Sequence, residues 1–142
     1  RWVTEELPAN RPRHLLGIGE PEDIFVGVEN GADTFDCVSA SRVARNAAVY
    51  FPTGRVNISN AKYRNSFEQL VPGCNCYTCS NYTQAYLHHL VHSKEMAAST
   101  LLTIHNEYFI VNLVDRIRQS IFDGNFYEFK EEFLGQYNYR RG

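Results

Sequence analysis

The chain has 142 residues, a formal net charge of −2 and 44% apolar residues, enough for one domain with a packed core. No apolar run approaches the roughly 20 residues that cross a bilayer, and no apolar signal segment follows the first six residues, so neither a membrane role nor export is expected. With no initiator Met, the chain reads as a segment cut from a longer protein.

Pro8-Ala9-Asn10-Arg11-Pro12 opens the chain as a loop, because two prolines oppose regular structure. His14-Leu15-Leu16-Gly17-Ile18-Gly19 reads as a short buried strand ending in glycines. A helix begins at Pro21, with Glu20, Glu22 and Asp23 at the positive end of its dipole, and Asn30-Gly31 stops it near Glu29. Thr34-Phe35-Asp36-Cys37-Val38 is the next strand. Strand, helix, strand with short links predicts a βαβ unit of a parallel sheet. Residues 48–51 and 55–58, joined through Pro52-Thr53-Gly54, predict a hairpin.

Beyond the hairpin the pattern turns helical. A helix is predicted from Ser80, capped by that side chain, with Tyr82, Tyr86, His89 and Leu90 on its apolar-aromatic face. A longer helix is predicted from about Lys94 to Phe122, its stripe formed by Ile110, Leu113, Val114, Ile117 and Ile121. A last short helix covers Phe126 to Leu134.

Two local features carry chemistry. Between Cys37 and Phe67 lie Arg42, Arg45, Arg55, Lys62 and Arg64 with no Asp or Glu, which suits a surface that meets phosphates. Cys74, Cys76 and Cys79 are too closely spaced for two disulfides, so they read as thiolate ligands in a reducing compartment. A closed structural zinc site takes four ligands. Spacing leaves the fourth open among His105, His88, His89, His92 and Cys37.

Three segments in order resemble the tRNA-guanine transglycosylases, also called queuine tRNA-ribosyltransferases. They are Leu15-Leu16-Gly17-Ile18-Gly19-Glu20-Pro21-Glu22-Asp23; Gly31 to Val38 running on through Arg42 to Ala47; and Cys74-Asn75-Cys76-Tyr77-Thr78-Cys79 with Tyr86 to Leu90 and Leu102 to Asn106. The match extends from about Arg11 to Tyr137. Ala40 and Ala44 depart from it, where many members carry Pro and some carry Gly.

The resemblance implies an α/β fold, the C-terminal segment of a (β/α)8 TIM barrel with an inserted zinc-binding subdomain. Residues 1–46 would hold the last barrel strands, the helix between them and the nucleophile motif. Residues 47–106 would form the hairpin and zinc subdomain, and 107–142 the C-terminal barrel helices. It assigns structural zinc to Cys74, Cys76, Cys79 and His105, and the role of covalent nucleophile to Asp36. An Asp of ordinary pKa is ionised at pH 7 and can attack an anomeric carbon, as glycosidase carboxylates do.

Leu16, Gly17 and Gly19 would line the base pocket, and Arg42 and Arg45 would lie near RNA. The implied reaction exchanges guanine at the wobble position of certain tRNAs for a 7-deazaguanine, queuine or its precursor. The implied partners are tRNA, the exchanged base and a second copy of the chain, joined through the zinc-subdomain region. The implied location is cytoplasmic. The second catalytic carboxylate and the residues that read the incoming base would lie on earlier strands, so this segment is expected to be inactive alone and to associate through its exposed sheet edges. The alternative is a non-catalytic, zinc-stabilised tRNA-binding or partner subunit of the same family, and a further one is a redox protein. Asp36 in its motif opposes the first, and a third cysteine with a distant His opposes the second.

Overall fold

The computed structural model describes residues 2–137. A short helix α1 (Trp2–Glu6) precedes strand β1 (His14–Leu16), helix α2 (Pro21–Glu29) and strand β2 (Thr34–Asp36). β1 and β2 are parallel and paired, with His14 opposite Thr34, Leu15 opposite Phe35 and Leu16 opposite Asp36. Both strands are shorter than the sequence predicts. Gly17 turns β1 away at φ 72°, a left-handed conformation in which glycine carries no Cβ penalty. α2 starts at Pro21, as predicted, and lies directly on the sheet. A Cβ on Gly27 would come within 2.6 Å of the Phe35 ring and 3.2 Å of Leu15, so only glycine permits this approach of helix to strand.

The segment after β2, to which the sequence reading assigns no element, is a helix. α3 (Ser39–Arg45) buries Ala40 and Ala44 and points Arg42 and Arg45 outward. Its two small alanines let it pack closely against a later helix, a tertiary reason that no local pattern displays. The predicted hairpin follows as β3 (Ala48–Phe51) and β4 (Gly54–Asn57), antiparallel, with Phe51 opposite Gly54.

A 3-10 turn at Ala61–Tyr63 leads to the cysteine segment. The helix predicted from Ser80 is two helices, α4 (Tyr77–Asn81) and α5 (Gln84–His92). Ser80 caps neither. The Cys76 sulfur accepts from the Cys79 N–H at the start of α4, and the Thr83 hydroxyl accepts from the Tyr86 N–H at the start of α5. The break rotates the predicted face. Gln84, Leu87, His88 and Leu90 turn inward, while Tyr86 and His89 are exposed and Tyr82 is half-buried. Of the four residues on the predicted apolar-aromatic face, Leu90 is buried, Tyr82 is half-buried, and Tyr86 and His89 stay open.

α6 (Met96–Phe122) begins two residues after the predicted Lys94, which adopts a positive φ of 56° and ends the preceding turn. α7 (Phe126–Gln136) closes the described chain. α6 joins two cores. Its first half packs Ala98, Leu101 and Leu102 with Cys76, Cys79, Leu87, Leu70 and Val49. Its second half packs Leu113 and Ile117 with Ile24, Phe25, Tyr50 and Phe133. Within the predicted stripe Leu113 and Ile117 are buried, Ile110 and Val114 lean on the core, and Ile121 is exposed.

Asn106, wholly buried on α6, ties these parts together. Its amide nitrogen donates to the carbonyls of Ala40 (3.1 Å) and Ala48 (3.0 Å), and its amide oxygen accepts from the Tyr50 N–H at 3.0 Å. Truncating it to Ala strands buried backbone groups on α3 and β3. Each orphan costs about 1–3 kcal/mol, so Asn106→Ala is expected to destabilise the chain by about 3 kcal/mol in urea unfolding.

Candidate metal centre and strand-end carboxylate

Three thiols and one imidazole meet where α4 faces α6. The donor atoms of Cys74, Cys76, Cys79 and His105 all lie within 4.8 Å of one another, a group able to hold a metal ion. The Nδ1 of His105 sits 3.7, 3.5 and 3.3 Å from the sulfurs of Cys74, Cys76 and Cys79 respectively. Its other nitrogen, Nε2, lies 2.8 Å from the Tyr50 carbonyl oxygen. A carbonyl can only accept, so Nε2 carries the proton and the Nδ1 lone pair is left facing the sulfurs. Local sequence explains the cysteine geometry. Gly73, at φ 77°, turns the chain into Cys74, and Cys76 caps α4 so that Cys79 comes round one turn later on the same side. Thr78, buried between them, donates to the Leu101 carbonyl at 2.6 Å and locks α4 onto α6.

The electrostatics of the cluster call for a cation. Burial raises all three thiols. On Cys76 burial raises the thiol, but the close approach of the His105 ring and the hydrogen bond from the Cys79 backbone N–H outweigh it and bring it down to about 7. Cys79 stays far above the thiol range and Cys74 above it, each held up by burial and by the neighbouring sulfurs. Without a cation the cluster thus favours one thiolate among protonated neighbours; a bound metal ion would ionise the set. Cys76, Cys79 and His105 are buried and Cys74 is half-buried.

The alternatives for the fourth ligand lie elsewhere. His88, His89 and His92 line a cleft with Ser59 and Arg64. The Cys37 sulfur lies 3.7 Å from the Gly17 carbonyl oxygen and accepts from the Ser39 N–H.

Asp36 stands at the C-terminal end of β2, with its side chain 63% exposed. The Gly17 N–H donates to Asp36 Oδ1 at 3.0 Å, and His14 Nε2 lies 3.3 Å from that same oxygen. Parallel register thus brings together Leu16, Gly17 and Asp36, all singled out from sequence. Leu16, 73% exposed, stands beside Asp36 on the open face. Gly19 has a structural reason of its own: a Cβ there would lie 2.5 Å from the Cys37 Cβ, so glycine lets the turn after β1 close against the residue that follows Asp36. His14 went unnoticed in the sequence. Its signal, two residues before Leu16 on the same face, becomes readable only once the strand register is known.

Arg42 and Arg45, three apart on α3, share one exposed face and form no ion pair among the described residues. Two other cations of the basic stretch have partners. Arg55 approaches Glu20 at 3.9 Å, and Lys62 lies over the Tyr63 ring. No helix among the described residues is long and apolar enough to cross a membrane.

The sequence profile of the family described as Queuine tRNA-ribosyltransferase matches residues 1–139. Similar proteins include the Queuine tRNA-ribosyltransferase of Lactococcus lactis subsp. cremoris (strain SK11), 46% identical over 140 residues, and that of Thermoanaerobacter sp. (strain X514), 44% identical over 138 residues. The alignments cover 99% and 97% of this chain, and the chain spans 37% of the length of each relative.

Proposed function

As this chain belongs to the queuine tRNA-ribosyltransferase family, we propose that it supplies the nucleophile and the metal-stapled part of an enzyme exchanging guanine for a 7-deazaguanine in tRNA. The observation that carries this reading is Asp36: an exposed carboxylate at a strand end, oriented through Oδ1 by the Gly17 N–H. In the proposed step an Asp36 oxygen uses a lone pair to bond the ribose anomeric carbon. The bond from that carbon to guanine breaks, its electron pair leaves with the base, and the departing ring nitrogen takes up a proton equivalent to the one that the incoming base gives up from its attacking ring nitrogen. The incoming 7-deazaguanine then displaces the aspartate, restoring the free carboxylate. Leu16 pairs with Asp36, Gly17 donates to its carboxylate and Gly19 packs on the neighbouring Cys37; all three are assigned to the base pocket.

The (β/α)8 barrel belongs to the same reading. It is supported by the parallel strands joined through α2 and by the exposed outer residues of β1, which would face the rest of the barrel. Zinc is the assigned metal. Zinc–sulfur and zinc–nitrogen bonds of about 2.3 and 2.05 Å place tetrahedral ligand atoms about 3.6 Å apart, close to the 3.3–3.7 Å between His105 Nδ1 and the sulfurs. With four protein ligands the ion would staple α4 to α6 rather than take part in the exchange. A homodimer is assigned to the exposed tyrosine face beside this centre, where Tyr82 stacks on Tyr86 and meets Tyr77 edge-on.

Arg42 and Arg45 are assigned to RNA phosphates. In the longer protein that carries this segment, replacing both by Ala is expected to weaken tRNA binding. The slope of log affinity against log salt should shrink by about 0.7 for each lost contact with single-stranded RNA. Filter binding of tRNA across a salt series measures both. An unchanged slope removes these arginines from the interface.

A further inference from the structure

We propose that His14 is a positioning residue for Asp36, holding Oδ1 so that Oδ2 is the oxygen that attacks. The proposal rests on the assignment of Asp36 as nucleophile. In a strand, residues two apart project to the same face. With His14 opposite Thr34 and Leu16 opposite Asp36, the His14 ring lies along the neighbouring strand and reaches both of its same-face residues. Nδ1 is 2.8 Å from the Thr34 hydroxyl oxygen, and Nε2 is 3.3 Å from Asp36 Oδ1.

Chemistry fixes the direction of this chain. An ionised carboxylate can only accept, so Nε2 of the neutral ring carries the proton. Nδ1 is then the acceptor, and the Thr34 hydroxyl donates to it. The Gly17 N–H converges on that same carboxylate oxygen. The Gly17 N–H therefore donates to Oδ1 and the His14 Nε2–H lies beside the same oxygen, whereas among the described residues no hydrogen bond reaches Oδ2. A donor on the attacking oxygen would withdraw electron density from the lone pair that must reach the anomeric carbon. Donors on the other oxygen set the rotation of the carboxylate and leave that pair available.

Burial cannot supply this orientation, since the side chains of His14 and Asp36 are 44% and 63% exposed. The 3.3 Å separation is long for a hydrogen bond, as catalytic contacts often are before substrate binds. His14 transfers no proton in the step: its Nε2–H stays in place while the Oδ2–carbon bond forms and the pair of the breaking bond leaves with the base.

The test pairs His14→Phe with His14→Gln in the longer protein that carries this segment. Phe keeps bulk and loses the donor, and Gln restores an N–H at similar reach. Misplacing a reacting group by about 1 Å costs on the order of 10²-fold, so His14→Phe is expected to lower kcat for guanine exchange by about that factor. The KM for tRNA should stay within about 3-fold, and His14→Gln should recover most of the loss. Asp36→Asn is run alongside. If it retains exchange, the nucleophile assignment fails; if it is inactive while His14→Phe matches wild-type kcat, the positioning role alone is overturned.

A second readout does not depend on activity. In the 142-residue chain, nitrogen-15 shifts of the His14 ring, recorded about two pH units above the ordinary imidazole value of about 6.5, report which nitrogen holds the proton. Nε2 is expected, and a ring protonated at Nδ1 overturns the proposal even where a variant fails to fold.

Discussion

Asp36→Asn in the longer protein is expected to abolish exchange of labelled guanine into tRNA, with a fall on the order of 10⁴-fold or more, the scale seen when a covalent nucleophile is removed. Asn keeps the shape of the side chain, and its amide oxygen can still accept from the Gly17 N–H, so the strand end should fold unchanged. What it loses is the charge and the lone pair that bond the anomeric carbon. No ribosyl-enzyme adduct should then be trapped on denaturing gels. Binding of tRNA should stay within about 3-fold of wild type, because phosphate contacts set affinity and Arg42 and Arg45 on α3 are untouched. The split is the informative part: unchanged binding with lost chemistry assigns Asp36 to the step itself. Near wild-type exchange by Asp36→Asn would sink the assignment. The isolated chain should show no exchange, since it spans 37% of the length of its relatives and its base pocket would need residues outside it.

Removing the metal is expected to have the largest effect on stability. Structural zinc in small domains contributes about 10–16 kcal/mol of apparent binding free energy, against a net stability of about 5–15 kcal/mol for a typical domain. The four residues of the cluster come from the turn before α4, from α4 itself and from α6, and the core around Cys76, Cys79, Leu87 and Leu102 surrounds them. A strong chelator should therefore unfold this half, seen as loss of helical circular dichroism with one zinc released per chain. His105→Ala should do the same at any metal concentration that leaves wild type folded, because it also frees the Tyr50 carbonyl and leaves the three sulfurs without their fourth partner. Metal-free protein that melts at the same temperature as purified protein would remove zinc from the account.

Much of this was legible in the chain itself. Three cysteines within six residues demand either a metal or unusual chemistry, because no pair of sensible disulfides fits. The helix from Pro21 to Glu29 carries its start and stop signals in its own residues, and the hairpin carries its turn. The long stripe of α6 announces a helix longer than any other in the chain. The family resemblance, spread over three separated motifs, supplied His105 as the fourth ligand; spacing had left five residues in contention, and the geometry puts Nδ1 of His105 among the sulfurs.

Other features could not be read locally, and the reason differs in each case. α3 was hidden because its only buried residues are Ala40 and Ala44, whose small side chains leave no apolar period; their value lies in the close approach to α6, which exists only in the fold. Which residues of α5 face the core is hidden for another reason, since large aromatics such as Tyr82 and Tyr86 suit a core and an interface alike. A break of two residues before Gln84 resets the helical phase, and Thr83 rather than Ser80 caps the new helix. Asn106 and His14 were invisible for a third reason: a polar side chain acquires its meaning from distant partners. Asn106 reaches backbone 56 to 66 residues away, and His14 meets Asp36 only because two strands pair in one register. Sequence alone determined the elements whose signals are local, periodicity, capping and turn chemistry, along with the ligand types of the metal centre. Tertiary structure decided which nitrogen faces the sulfurs, which carboxylate oxygen is left free and which face of α5 is open, since these depend on contacts between residues that share no local pattern.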